Sequence, residues 1–215
     1  VGKRKMRVDI FTLFPKMFES PLQESMVKRA QDHGLVEIYV HNLRHWTTDK
    51  HQTADDRPFG VGPGKVMQPE PIFEAVESLA LEPEIPIILT SPRAPLFTQK
   101  EAITLSKAPR VVLLCGHYEG VDERVQEHLC THVFSIGDYV LTGGELPVLV
   151  ILDTMIRLIP GVVGKEASVL QDSFMEEGLL DCPHYTRPAN YRNWGVPPVL
   201  LCGNHQEIAL WKKNQ

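Results

Sequence analysis

With 215 residues, the chain is long enough for one sizeable core and a small appended domain. Its composition, 43% hydrophobic and 23% charged, is that of an ordinary globular protein, and no apolar run reaches the length of a membrane span. A formal charge of −5 is not the signature of a uniformly basic nucleic-acid binder, although it leaves room for a local basic groove.

Cys115, Cys130, Cys182 and Cys202 lie far apart with no CxxC spacing, which argues against a zinc cluster and a dense disulfide framework. Residues 1–5, VGKRK, have no apolar stretch behind them of the kind a secretory leader carries. A reducing cytoplasm is the expected setting, with no membrane involvement.

Residues 7–13, RVDIFTL, alternate apolar and polar side chains as a half-buried strand does. Pro15 suits a helix first turn, and the helical segment that follows runs to His33 and stops at Gly34. Val36 to Val40 reads as a second strand. Residues 43–64 form a polar, then glycine-rich loop, too long for a mere connector. A helix is predicted from about Pro69 to Leu81, a strand from Ile85 to Thr90, a helix opened by a Thr98/Glu101 capping box, and an apolar strand from Val111 to Cys115. Strands that alternate with helices and are nearly continuously apolar specify an α/β fold with a mostly parallel, buried sheet. A strongly apolar helix is expected from Glu145 to Leu158.

After Pro160 the texture changes to Gly, Pro and short polar turns until a last helix near Asn204 to Trp211, capped by Asn204 and Glu207. We therefore expect a first domain over 1–160, a linker over 161–175 and a small domain over 176–215.

Three glycine-bearing loops adjoin strand ends: Leu89 to Pro92, Cys115 to Gly120, and Ser135 to Glu145. Ligands of open α/β sheets bind beyond the carboxyl ends of the strands, so three such loops point to a small-molecule pocket. Neither GxGxxG nor a P-loop lysine motif occurs, which disfavours dinucleotides and nucleoside triphosphates. Thr53 to Lys65 combines acids, an arginine and glycines in a segment suited to closing over a ligand. Asp153 and Arg157, four apart on one helix, are spaced for a helix-face ion pair, and Asp172 could on its own simply cap a helix. The histidines do not cluster at metal-ligand spacing.

Taken in order, DDRPFG, GPG, CGHYEGVDERV, SIGDYVLTGGELP, RLIPGVVGKEAS, QDSF, GLLDCPHYTRP and VPPVLLCGNHQEI closely resemble the bacterial tRNA (guanine-N1)-methyltransferases of the SPOUT superfamily. The resemblance runs from about Met6 to Trp211. It implies a parallel sheet flanked by helices with a deep C-terminal trefoil knot in place of an unknotted sheet, and a small, mainly helical C-terminal domain. It also implies S-adenosylmethionine as methyl donor, a tRNA substrate, and a homodimer with active sites at the subunit interface. The reaction it implies is methylation of N1 of the guanosine just 3′ of the anticodon.

Carried over residue by residue, the resemblance assigns Leu89, Ser91, Pro92, Gly116, Ile136, Gly137, Asp138, Tyr139, Val140, Leu141, Gly143 and Gly144 to the cofactor. Asp172 matches a general base and Arg157 a residue that assists the guanine. Asp55, Arg57 and Gly64 match a loop involved with tRNA, and Glu119 an acid linked to magnesium dependence. These types suit the chemistry, because N1 carries a proton that a carboxylate must remove while an arginine stabilises charge developing toward O6. Val61, Lys65 and His117 depart from the residues usual in the family. Family members also continue with more helix beyond Trp211, so the small domain is expected to be truncated. A related enzyme acting on another RNA is disfavoured by the DDRPFG and DSF–GLLD–YTRP pairings, and a non-catalytic RNA-binding module by the presence of both Asp172 and Arg157.

Overall fold

Strand β1 (Met6–Thr12) is buried along almost its whole length because it is paired on both edges. In a computed structural model describing residues 5–60, 63–164, 172–175 and 180–214, it lies between β2 (Val36–Asn42) and β6 (Arg110–Leu114). Strands β5 (Ile87–Thr90) and β7 (His132–Phe134) complete a five-stranded sheet of order β2-β1-β6-β5-β7, with every pairing parallel. Val61, residues 165–171 of the expected linker, and residues 176–179 lie outside the described residues.

Each face of the sheet has its own core. Val8 and Ile10 of β1 pack with Val27 and Ala30 of α1 (Ser25–Asp32), Leu105 of α3 (Gln99–Leu105), and Val148, Ile151, Leu152 and Met155 of α5 (Glu145–Ile156). Phe11 faces the other way, toward Ile72, Ala75 and Val76 of α2 (Pro69–Glu77) and Val125 of α4 (Glu123–His128). The sheet is parallel and covered on both sides, as near-continuous apolar strands require. Among the described residues, no helix is long and apolar enough to cross a membrane.

Four elements are shorter than their sequence pattern suggests. The segment after Pro15 is two 3-10 turns, Pro15–Phe18 and Pro21–Gln23, before α1 begins. Pro21 cannot donate to a helix ladder, and Ser25 turns the backbone with φ +51°. Helix α2 stops at Glu77, where Ala80 reverses at φ +46°, and β5 begins only after Pro86. Helix α5 ends at Ile156 with Arg157 as its C-cap, three residues before Pro160. The Thr98/Glu101 capping box forms as expected.

The chain divides into two compact units, Val1–Glu166 and Ala167–Gln215. Val162 is fully buried in the core beneath α5, so the first unit continues past Pro160. The described residues of the second unit form a ribbon of β8 (Asn190–Tyr191) and β9 (Trp194–Gly195), a 3-10 turn at Pro198–Leu200, and α6 (His205–Lys213). The side chain of Asn204 caps α6 by accepting from the Gln206 and Glu207 amides.

One polar side chain is fully buried in the middle of β1. Asp9 accepts from Arg7 at 2.9 Å, His41 at 2.8 Å and Arg110 at 2.8 Å, so it ties β1 to both neighbouring strands. Burial pushes its carboxyl pKa up, but the hydrogen bonds from His41, Arg7 and Arg110 outweigh burial and hold it below the usual carboxylate range. A depressed folded-state pKa stabilises the protein above the unfolded value of about 4 and loses that contribution as pH falls below it. Asp9→Asn should therefore lower stability at pH 7, toward the lower end of the roughly 3–5 kcal/mol typical of a broken buried pair, because Arg7 is partly solvated. It should also flatten the acid limb of stability between pH 5 and 3, taken as about one unit either side of that unfolded value. Denaturant titrations at several pH values measure both effects; parallel wild-type and variant curves would show that Asp9 titrates alike folded and unfolded.

Candidate active site

The loops after β5, β6 and β7 meet at the carboxyl edge of the sheet and enclose a cavity of about 290 Å³. The loops are stitched together by main chain. The Ser91 amide donates to Phe134 O at 2.9 Å, the Phe97 amide to Ser135 O at 2.8 Å, and the Ser135 amide to Pro95 O at 2.8 Å. The last loop then passes back over the first two. Gly144 donates its amide to Gly116 O at 2.7 Å, and Gly143 pairs with His117 in an antiparallel bridge.

That return leaves no room for a side chain. A Cβ on Gly144 would lie 2.7 Å from the Gly116 amide nitrogen, 2.7 Å from Thr90 Oγ1 and 2.8 Å from Cys115 Cα. The glycine is needed for close approach, since its φ of −82° suits any residue. Directly after it, Glu145 is buried at the start of α5, and its carboxylate accepts from the Thr12 hydroxyl at 2.7 Å across 133 positions of sequence. The same hydroxyl accepts from the Phe14 amide at 2.9 Å. Burial, then the charge of Glu145, raises the Cys115 thiol well above its ordinary range, partly offset by Thr12, while burial pushes Cys130 up to about 12. Both thiols are inert nucleophiles, and all four cysteines are free.

Of the residues that sequence reasoning assigned to a cofactor, Leu89, Ser91, Pro92, Gly116, Ile136, Gly137, Tyr139, Val140, Leu141, Gly143 and Gly144 line this cavity; Asp138 is exposed beside it. Glu119 lines it as well. Thr90 Oγ1, which also faces the cavity, is buried with no hydrogen-bond partner among the described residues. A pocket with apolar walls, glycine main chain and an unsatisfied hydroxyl is suited to a ligand with an apolar body and polar edges.

The long loop docks on one wall. It begins as a 3-10 turn at Leu43–Trp46 and returns through the ribbon of β3 (Asp55–Asp56) and β4 (Val66–Met67). Glu119 donates its amide to Lys65 O at 3.0 Å, and Met67 to Gly120 O at 2.9 Å. Gly64, at φ +97°, lies so close to Glu119 that a Cβ would come within 2.5 Å of its side chain. Asp55 is buried with Lys65 Nζ 2.6 Å away, whereas Arg57 is exposed. Asp55 raises the pKa of the Lys65 ammonium.

Arg157 and Asp172 are not among the residues that line this cavity. Arg157 ends α5, whose first turn forms the pocket floor; twelve helical residues separate the two by about 18 Å. Asp172 opens a short turn in the second unit, where the Asp181 amide donates to Ser173 Oγ at 2.8 Å. Among the described residues, one trio of metal-type ligands comes together, Asp181, Cys182 and His184, with ligand atoms within 4.8 Å. His184 and Asp181 already hydrogen-bond at 2.8 Å, and Glu119 is not part of it.

Sequence reasoning passed over the Thr12–Glu145 pair and the wall contributed by Arg93, Tyr118 and Gln126. An acid opening an otherwise apolar helix, immediately after two glycines, was the available signal for Glu145.

Gly144→Ala should cost about 1–3 kcal/mol by overpacking, a fall in Tm of roughly 3–10 °C. Gly195→Ala, where a Cβ would meet open space, should leave Tm almost unchanged. Calorimetry of the two variants checks this, and equal melting points would mean that the loops at Gly144 part freely.

The family model described as tRNA (Guanine-1)-methyltransferase TrmD matches residues 6–215. Among curated proteins, a tRNA (guanine-N(1)-)-methyltransferase of Thermosynechococcus vestitus is 56% identical over 211 residues, covering 98% of this chain and 89% of that one. Enzymes of the same name from Geobacillus kaustophilus and Bacillus subtilis are 52% and 50% identical, covering 98% of this chain and 86% and 87% of theirs. A match of this extent leaves one conclusion: the chain belongs to the bacterial tRNA (guanine-N1)-methyltransferase family.

Proposed function

We propose that this protein methylates N1 of the guanosine immediately 3′ of the anticodon in tRNA, taking the methyl group from S-adenosylmethionine. The observation that carries the reading is the glycine-walled cavity, lined by all but one of the residues assigned to the cofactor, in a chain matched over 6–215 to the family. The unsatisfied Thr90 hydroxyl and the open main chain around Gly116 and Gly143 fit the polar edges of an adenosyl group, whose apolar body suits the walls at Leu89, Ile136 and Leu141. When bound, S-adenosylmethionine supplies an electrophilic methyl on a sulfonium.

In this reading Asp172 removes the N1 proton, typically worth about 10²–10⁴-fold in rate, and Arg157 donates to O6 as negative charge develops there. Asp55, Arg57 and Gly64 guide tRNA along the wall that also carries Glu119. A magnesium ion at Glu119 would take one carboxylate from the protein and its remaining ligands from water and phosphate. The knot of the family corresponds to the passage of the Ser135–Gly144 loop behind those of β5 and β6. The setting is the cytoplasm.

The position of Arg157 supports a homodimer with shared sites. An arginine side chain spans far less than the roughly 18 Å of α5, so the pocket of one chain needs an arginine from elsewhere, and a second copy supplies it. Most of the apolar surface of α5 is already covered within the chain; Leu146 and Val150, 50% and 46% exposed and one turn apart, are what remains for a second copy to cover.

A single-turnover assay with labelled S-adenosylmethionine and unmodified tRNA tests the reaction. Asp172→Asn should lose most methyl transfer with cofactor affinity nearly unchanged, and a tRNA with a pyrimidine at the target position should accept nothing. Transfer by the variant within a few-fold of wild type would remove Asp172 from its role. Mixing inactive Arg157→Ala with an inactive pocket variant should restore roughly a quarter of wild-type activity, since half the dimers then hold one intact composite site. No restoration in the mixture would mean that each chain completes its own site.

A further inference from the structure

The second unit displays aromatic side chains that its own packing does not use. Strands β8 and β9 pair Tyr191 directly with Trp194 across a two-residue turn, Arg192 and Asn193, both at positive φ. Such a turn matches the twist of its strands and makes a stiff hairpin. The Asn190 side chain closes it by accepting from the Asn193 amide at 3.1 Å, and the Val196 amide extends the ladder to Ala189 O at 2.9 Å. Directly opposed residues project to the same face of a ribbon. Here the two rings lie 6.1 Å apart at 53°, tilted rather than stacked, and they are 54% and 69% exposed. Among the described residues Trp194 contacts no other aromatic ring.

The surroundings are cationic and polar. The Arg192 guanidinium sits 5.2 Å over the Tyr191 ring. No Asp or Glu occurs between Asp181 and Glu207, a stretch that contains Arg187 and Arg192, although the whole chain carries a charge of −5. An apolar protein partner would require apolar neighbours around the rings, whereas this pair is framed by Asn190, Arg192 and Asn193. Open π faces, an adjacent guanidinium, side-chain amides and an absence of carboxylates match the requirements for an unstacked nucleobase and its phosphate.

We propose that the β8–β9 hairpin is a stacking platform for an unpaired nucleobase of the RNA substrate, with Trp194 and Tyr191 supplying the π faces and Arg192 the phosphate contact. The assignment rests on reading the chain as a tRNA-modifying enzyme and adds a binding element in the second unit, on residues that do not line the cofactor pocket. Stacking is indifferent to base identity, so the platform adds affinity without selecting the methylated position.

The test is fluorescence anisotropy of the whole protein with labelled, unmodified tRNA across a salt series, with S-adenosylmethionine binding measured alongside. Trp194→Ala should weaken tRNA binding about 5- to 150-fold with an unchanged salt slope and unchanged cofactor affinity. Trp194→Phe should stay within about threefold of wild type, while Trp194→Leu, apolar but without a π face, should match the alanine variant. Arg192→Ala should flatten the log–log salt slope by about 0.7. Independently of any variant, 4-thiouridine-substituted tRNA should photocrosslink to the peptide carrying Tyr191 and Trp194 in the wild-type protein. Wild-type affinity in Trp194→Ala and Tyr191→Ala, full affinity in Trp194→Leu, or a crosslink map that omits the hairpin would overturn the proposal. So would dissociation of a dimer by Trp194→Ala in sedimentation, which would make the face a contact between copies. Failure of the wild-type protein to bind tRNA at all would instead bring down the functional reading, and this site with it.

Discussion

Main chain meets main chain where Gly144 donates to Gly116, and the pocket exists because that approach is so close. The loop from β7 packs against the loops of β5 and β6 just before α5 starts, and it can do so only because the residue at the contact has no side chain. The cavity walls follow from the sheet, because β5, β6 and β7 are adjacent and parallel and release their loops at the same edge. The fold brings these strands together out of sequence order, with β5 between β6 and β7.

Two buried acids fix that arrangement, one at the middle of β1 and one beyond its carboxyl end. Asp9 sits mid-strand and is shared among groups from β1, β2 and β6, so it sets the lateral spacing of three strands. Glu145 sits beyond the carboxyl end and reaches Thr12, so it fixes the start of α5 against the sheet, beneath the glycine pair. A Cβ on Gly143 would come within 2.4 Å of Glu145 Oε2, so the carboxylate also occupies the space that the glycine leaves. Buried acids of this kind contribute little net stability compared with apolar residues, but removing one partner is costly, which makes the geometry hard to relax. The two acids therefore act on position more than on free energy.

Much of the sheet is legible in the sequence because its strands are apolar runs between glycine and proline signals, and α3 because Thr98 and Glu101 form a capping box. The failures are local. Nothing in hydrophobic spacing distinguishes two 3-10 turns from a helix over residues 15–23; only Pro21 marks the break, and its effect depends on how the backbone at Ser25 recovers. The pocket residues are legible as glycine loops at strand ends, yet the close contact of the third loop with the other two cannot be read from periodicity, because it depends on strand order. Glu145 illustrates the same limit. As a sequence symbol it is a favourable acid in a helix first turn, and only the fold reveals that it is buried against a threonine from the opposite end of the domain.

Helix α5 gives the molecule its scale. Its first residue follows the glycine contact and its C-cap is Arg157, so one rigid element separates the pocket from the arginine by a distance no side-chain rotation can close. In the proposed reaction, donor binding and guanine activation then belong to different copies of the chain, and a methyl group moves only where two copies meet. This division has a consequence for charge. The first unit can remain acidic overall, because its pocket handles a small ligand through main chain and glycine. On the proposed reading, the affinity for a polyanion falls to segments such as the carboxylate-free stretch between Asp181 and Glu207. A global charge of −5 is thus compatible with an RNA substrate: the electrostatics of binding are set by where the carboxylates are missing, and in this chain they are missing from the segment that carries the exposed aromatic hairpin.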